Sequence, residues 1–426
     1  ARTQQYLFDL TTNFLNPSLG ETVTVTSTDL EHRTDIVLAS VDRLEAFRDV
    51  GEVPAGMTVE SYDIPEMEDA TQRADAVREA IKQNPSQANE ILRQQFPEFK
   101  TLDGKYVEPI QPGTINETRE FFETYKDVDT FPIYGNNKYD YAFISDEFPD
   151  DVFWDIDKIA IMYLDIEVGS EHGFPEPKSA SEEVTAITIK IKDRITTYGI
   201  GEFVTDDPNI TYHKCDDEIA LLKKFVDDYT LVYPDVITGW NIKLFDIPYI
   251  VNRIKKLLGE DEAKKLSPWN FISERKTVIN GRPMTAYGFL GVEQLDYIEL
   301  YKWYAPGGKS QESYRLDNIA NVEIGESKIS YDEYDNLHQL YRLNFQKFIE
   351  YNIKDVLLIE KMEDKLKLIE LGLTLAYDTK CNYEDIFAQT RMWDSMTYSY
   401  LYNQGIIVPP REVQDKDSAF EGAYVK

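Results

Sequence analysis

Thiols and imidazoles are scarce in this chain of 426 residues, which has two cysteines, Cys215 and Cys381, and four scattered histidines, His32, His172, His213 and His338. Two thiols make neither a disulfide framework nor a cysteine-rich zinc site, and histidines so dispersed make no metal centre. Such sparing use of cysteine fits a reducing cytoplasm. No run of about 18 apolar residues occurs and no basic-then-apolar leader precedes a cleavage site, so neither a membrane span nor a secretion signal is expected. Positive charge is also short: 45 Lys and Arg stand against 77 Asp and Glu, for a net charge of −32. A broad basic surface for nucleic-acid phosphates is thereby excluded. Local bases and bound cations remain as ways to face a phosphate. The sequence has no internal repeat and no low-complexity linker, and its hydrophobic content of 42% suffices for the cores of two or three domains.

Three short motifs carry the chemistry. Asp165-Ile166-Glu167 stands in KIAIMYLDIEV, Asn241 through Asp246 in GWNIKLFDIPYIVNRI, and Tyr351 through Asp355 in FIEYNIKDVLLIEK. Residues 158–168 are rich in Ile, Met, Tyr, Leu and Val and read as a strand buried on both faces. Alternate residues of a strand share a face, so Asp165 and Glu167 point the same way. An apolar segment has no structural use for two such acids. The second motif follows an apolar strand at 235–240 and runs into a helix with Ile247, Ile250, Val251, Ile254 and Leu257 at helical spacing. Asp246 opens that helix, where it serves either as a capping acid or as a cation ligand. The third motif falls in a helical stretch at 344–371, which puts Tyr351 and Asp355 on one face. Four carboxylates and a tyrosine are the oxygen-rich set that a two-metal nuclease uses to hold ions about 3.5 to 4 Å apart.

Asp-x-Glu, Asn-x-x-x-Phe-Asp and Tyr-x-x-x-Asp in this order resemble the three exonuclease motifs of family B DNA polymerases. The likeness is closest to the replicative polymerases of T-even-like tailed bacteriophages. It runs over 101–426 through LDGKYVEPIQPGTINETREF, DVDTFPIYGNNKYDYAFISDEFP, YLDIEVGSEHGFPEP, VITGWNIKLFDIPYIVNRIKKLLGE, LDYIELYKWY and FEGAYVK. The resemblance implies an α/β fold: a ribonuclease H-like exonuclease domain, with a mixed sheet flanked by helices, beside a smaller α+β N-terminal domain. It implies that Asp165, Glu167, Asp246 and Asp355 bind two Mg²⁺ ions, for which Mn²⁺ can substitute, and that Tyr351 orients the attacking water or the scissile phosphate. Phe174 is similar to an aromatic that stacks on the frayed terminal base, in keeping with sequence-tolerant stacking. Its alternative is a plug in the turn between Gly173 and Pro175. Asn241 and Phe245 are further expected DNA contacts.

The implied organisation is an N-terminal domain at 101–157, an exonuclease at 158–367, a return to the N-terminal domain at 368–410, and the start of a palm at 411–426. Expected strands are 158–168, 184–191, 195–200 and 235–240. Residues 1–100 match nothing in the family and read as a possible strand at 22–26 and helices at 34–47 and 69–95, without visible chemistry. The polymerase motifs that follow FEGAYVK in the family do not occur. The chain is therefore expected not to polymerise DNA alone, whether it is a fragment, a fusion or half of a split polymerase with a separately encoded partner. A sliding clamp would engage only the missing C-terminal part.

Local bases do occur near the second motif. Arg253, Lys255 and Lys256 follow it, and Lys264, Lys265, Arg275, Lys276 and Arg282 surround TVINGRPMTAYGF, where Asn280-Gly281 is a favoured hairpin turn pair. Residues 278–285 either help to peel a primer end from its template, as a hairpin does in the phage enzymes, or form an ordinary surface hairpin. Arg253, Asn280, Gly281 and Arg282 are the expected DNA contacts here. The leading functional expectation is a metal-dependent proofreading 3′-to-5′ exonuclease acting on single-stranded or primer-template DNA in the host-cell cytoplasm. The alternatives are a non-catalytic assembly module of a split polymerase and, less in keeping with the flanking segments, an RNA exonuclease.

Overall fold

The computed structural model of the chain describes residues 98–409 apart from 111–112, 127, 129–131, 137, 170–172, 174, 280–281 and 308–309. The expected elements at 22–26, 34–47 and 69–95, together with 411–426, lie outside the described residues, as do Phe174, Asn280 and Gly281. The chain divides into two compact units, the larger being Val152–Met392.

The smaller unit opens with β1 (Lys100–Thr101), α1 (Ile115–Tyr125) and α2 (Tyr139–Glu147). Thr114 and Glu117 cap α1 reciprocally. The Glu117 N–H donates to the Thr114 hydroxyl at 3.4 Å, and the Thr114 N–H donates to the Glu117 carboxylate at 2.6 Å. The larger unit then contributes β2 (Ile161–Val168), β3 (Val184–Ile191), β4 (Arg194–Gly199), β5 (Ile210–Lys214), α3 (Glu218–Val232), β6 (Val236–Gly239), α4 (Asp246–Leu257) and α5 (Glu260–Lys264). Next come β7 (Ile272–Ile279), β8 (Arg282–Phe289), β9 (Glu293–Asp296), α6 (Tyr297–Tyr304), α7 (Leu316–Ile324), α8 (Leu337–Leu343), α9 (Phe345–Leu366) and α10 (Leu368–Thr379). The boundary with the smaller unit falls inside α11 (Gln389–Tyr402), after which β10 (Ile406–Ile407) pairs in parallel with β1. In that unit Ser145 and Ser399 share a hydrogen bond of 2.6 Å.

The architecture of the larger unit is mixed α/β, of the ribonuclease H-like kind. Its six-stranded sheet has the order β5-β4-β3-β2-β6-β9. β3 runs antiparallel to both β2 and β4, and the other neighbours are parallel. On one face Met162, Leu164, Ile166 and Val168 pack with Leu221, Leu222 and Phe225 of α3 and with Ile247, Ile250, Val251 and Ile254 of α4. On the other, Ala186 and Ile195 meet Phe348, Ile349 and Ile353 of α9. The helical spacing in α4 thus does what its periodicity predicts, laying one stripe onto the sheet. Side chains alternate along β2, so the acids at 165 and 167 share the face opposite Leu164 and Ile166.

The expected helix at 344–371 is two helices. Lys367 breaks it in the left-handed conformation, with φ of 54°. The break is held by Glu363, whose carboxylate accepts the N–H groups of Leu368, Ile369 and Glu370 at 2.9, 3.0 and 3.3 Å, serving the donors that open α10. α10 packs against α6, and residues 368–392 lie within the larger unit. β5 and β9, which no motif announced, are the sheet's edges. The hairpin forms as expected between β7 and β8, with Ile279 opposite Arg282.

Gly239 ends β6 where the chain passes β2. A Cβ there would lie 2.4 Å from the Leu164 carbonyl oxygen, a backbone atom with no freedom to retreat. Gly239→Ala is expected to destabilise the protein by roughly 1–3 kcal/mol, as overpacking does. Denaturant unfolding checks this, and a variant as stable as the parent would refute the close approach.

Candidate active site

Strand β2 and helix α9 bring together acids that are far apart in sequence. One carboxylate oxygen from each of Asp165, Glu167 and Asp355 lies within 4.8 Å of the others. Asp165 is partly exposed, whereas Glu167 and Asp355 are buried. Asp246, the first residue of α4, is also buried, and its Oδ1 accepts the Ile166 N–H at 3.1 Å, between the two acids of β2. Phe245, not Asp246, holds the N-cap position of α4 and makes no side-chain cap. The carboxylate of Asp246 is thus tied to β2.

Lys328, in the loop after α7, reaches into this group. Its ammonium hydrogen-bonds Asp355 Oδ2 and donates to the Tyr351 hydroxyl at 3.0 Å, lying 5.0 Å from the centre of that ring. Tyr351 is therefore joined to Asp355 through a shared cation as well as by helical spacing. Asn352 donates from Nδ2 to Asp165 Oδ2 at 2.6 Å. The loop of the second motif is held by Asp296, which accepts the N–H groups of Asn241 and Lys243 at 2.8 and 3.0 Å. Asn241 is left-handed there, with φ of 67°, a conformation asparagine tolerates better than most residues.

Crowded acids in a low dielectric resist ionisation. Burial, then the charges of Asp355, Asp246 and Glu167, hold the Asp165 carboxyl well above the ordinary range, with Lys328 opposing. Burial and Asp355 push Glu167 up to about 8, and burial pushes Asp246 to about 7 against the Ile166 N–H. Asp355 rises to about 6 because burial outweighs the Lys328 ammonium. Burial works against the charge of Lys328 itself, but Asp355, Tyr351 and Asp165 keep its pKa well above the ordinary value. Among the described residues, one ammonium beside four carboxylates leaves a deficit of positive charge. Asp355 Oδ1 is buried without a hydrogen-bond partner, an expensive state for a carboxylate oxygen. Oxygen donors, converging geometry and an unpaired buried oxygen all suit a hard divalent cation, so Asp165, Glu167 and Asp355 could hold a metal ion.

The five expected catalytic residues thus collect in one place, while the expected DNA contacts fare differently. Arg253 is buried and heavily engaged: it grips Glu218 at 2.7 and 2.6 Å and donates to the carbonyls of Ala180 and Ser181 at 2.9 and 3.0 Å. Four of its five N–H donors are thereby used inside the protein, and its charge is paired with Glu218. Lys255, Lys264 and Lys265 likewise pair with nearby acids. Asn241 acts through its backbone N–H, and Phe245 packs on Tyr249 with ring centres 5.6 Å apart. Arg282 begins β8, with its side chain outside the description. Lys328 escaped the sequence reading because the segment ESKISYDEY carries no periodicity or motif. Asn352 carried a usable signal: an amide at helical spacing from the apolar Phe348, Ile349 and Val356.

Residues 127–319 match the DNA polymerase family B exonuclease domain, a span that includes Asp165, Glu167 and Asp246. The chain is similar to the DNA-directed DNA polymerase of Escherichia phage RB69, at 31% identity over 325 residues, covering 68% of this chain and 35% of that protein. It is similar at 27% identity over 354 residues to that of Enterobacteria phage T4, covering 77% and 39%. A more distant likeness is to the DNA polymerase delta catalytic subunit of Schizosaccharomyces pombe, at 25% identity over 294 residues, or 63% of this chain and 26% of the other. The matched region spans little more than a third of the phage relatives' length. Among the described residues, no helix is long and apolar enough to cross a membrane.

Two outcomes follow from the electrostatics. A carboxyl raised in the fold keeps its proton at a pH where the unfolded chain has lost it, so stability falls as pH rises from the ordinary 4.5 of Glu towards the 8 of Glu167. A divalent cation relieves that penalty. In calorimetry, Mg²⁺ added to EDTA-treated protein is expected to raise the melting temperature more at pH 8 than at pH 6, and an equal or reversed increment would contradict this assignment. Arg253→Met leaves the largely buried Glu218 with only the Val184 N–H and is expected to cost about 3 kcal/mol while leaving the salt dependence of DNA binding unchanged. Denaturation and binding titrations separate the two effects.

Proposed function

The chain carries the exonuclease domain of the family B DNA polymerases, of the T-even-like kind, and on that premise we propose that it removes nucleotides from DNA in the 3′-to-5′ direction as a proofreading activity. The convergence of Asp165, Glu167 and Asp355, with one Asp355 oxygen left unpaired, carries this reading. Asp165, Glu167 and Asp355 would hold one cation, and Asp165 and Asp246 a second. When bound, two Mg²⁺ ions, or Mn²⁺ in their place, supply a hydroxide at neutral pH and charge neutralisation at the leaving oxygen.

The remaining work belongs to the chain's own groups. Lys328 favours the ionised form of Asp355 against the effect of burial and sets its rotation. Because the Tyr351 oxygen accepts from Lys328, its own proton is free to donate to a phosphate oxygen or to hold the attacking water. The tie from Asp246 to the Ile166 N–H fixes the second motif against the first. Phe174 is proposed to stack on the frayed terminal base and the β7–β8 hairpin to separate primer from template. The proposed partners are single-stranded and primer-template DNA, with a polymerase half acting beside this domain and a clamp reached only through that half, in the cytoplasm of an infected host. Asn241 and Phe245 are proposed to border the strand's path.

The test uses a 5′-labelled single-stranded DNA oligonucleotide with Mg²⁺. The parent is expected to yield a ladder shortening from the 3′ end, which EDTA abolishes and Asp246→Ala slows by about two orders of magnitude or more. Equal rates for parent and variant would overturn the catalytic assignment and return the chain to the assembly-module reading.

A further inference from the structure

We infer that Thr197, Thr188 and Asn352 form a directed hydrogen-bond relay that positions Asp165 for cation binding; this rests on the metal-dependent reading above. Asp165 stands opposite Thr188 in the β2–β3 ladder, and Thr188 stands opposite Thr197 in the β3–β4 ladder. Directly paired residues share a sheet face, so the three form one row beneath α9. Asn352 projects onto that row from between Tyr351 and Asp355.

Thr188, Thr197 and Asn352 are completely buried, in a layer otherwise made by Ala186, Ile195, Ile349 and Ile353. Polar groups at such a place cost stability unless paired, and valine would fill either threonine site more cheaply. With Asp165 ionised, as a cation ligand must be, their pairing has a single consistent direction. Thr188 Oγ1 donates to Asn352 Oδ1, so its one proton is spent, and the contact of 2.9 Å with Thr197 must be donated by Thr197. With Asn352 Oδ1 so occupied, Nδ2 faces Asp165 Oδ2 at 2.6 Å. Flipping the amide would set its oxygen against the carboxylate and its NH₂ against the donating hydroxyl. The relay therefore presents a donor to Asp165, fixes the rotation of its carboxylate, and leaves its other oxygen free. None of the three relay residues needs to touch substrate: they are positioning residues acting through Asp165.

Calorimetric titration of the full chain with Mn²⁺ alone tests this. Asn352→Leu is expected to weaken Mn²⁺ binding about 10- to 100-fold, the usual effect of removing a ligand's supporting partner. Thr188→Val should have a smaller effect and Thr197→Val the smallest, while Thr188→Ser, which keeps the hydroxyl, should bind as the parent does. In nuclease assays at limiting Mn²⁺, kcat should fall in the same order with KM for the oligonucleotide unchanged, and excess Mn²⁺ should restore it. Parent-like Mn²⁺ binding by a folded Thr188→Val and a folded Thr197→Val would overturn the relay. So would equal losses in Thr188→Val and Thr188→Ser. Should Thr188→Val not fold, the Asn352→Leu and Thr197→Val titrations decide, and parent-like binding by both overturns the proposal. A parent that takes up no Mn²⁺ would instead overturn the metal-dependent reading itself.

Discussion

Four carboxylates of like sign converge in the larger unit, three of them buried, and the surrounding structure is organised around that repulsion. A buried ion left unpaired costs several kcal/mol, and burying neighbours of the same sign adds to the cost. The fold answers with few and specific means: the Lys328 ammonium on Asp355, the Ile166 N–H on Asp246 and the Asn352 amide on Asp165. Together they leave a net negative pocket with an unpaired oxygen on Asp355. A site that still lacks positive charge after all its protein partners are counted is suited to cations.

That arrangement demands a rigid frame, because carboxylates displaced by an ångström no longer share an ion. β2 supplies two of the acids from the middle of the sheet, gripped by β3 and β6 and packed on both faces. Gly239 lets β6 turn close against the Leu164 carbonyl, and Asp296 gathers the backbone of the loop that follows. These residues place Asp246 against the strand that carries Asp165 and Glu167.

The net charge of −32 would be reconciled with the proposed DNA substrate only locally. Many bases near the second motif are spent on internal order, with Arg253 buried on Glu218 and Lys255 shared between Glu260 and Glu274. Lys328 is different, since its charge is delivered among the converging acids themselves. Recognition of a DNA end in such a protein would rest on metals, stacking and one or two placed cations more than on a basic surface.

The sequence by itself determined the elements with strong periodicity and the acids set on them. The strands around Asp165 and after Val184, the amphipathic helix from Asp246, and the pairing of Tyr351 with Asp355 were legible because side-chain direction follows from local backbone period. Only the tertiary structure decided how the rest is used. The break at Lys367 depends on where the Glu363 carboxylate turns, and the edge strands β5 and β9 depend on having a neighbour to pair with. Arg253 reads as a free base along the chain and becomes a buried partner of Glu218, while Lys328, unremarkable in its loop, becomes the counterion of Asp355. A charge's meaning lies in what surrounds it in space, and residues separated by tens of positions, such as Lys328, Asp355 and Asp165, acquire their surroundings only when the chain has folded.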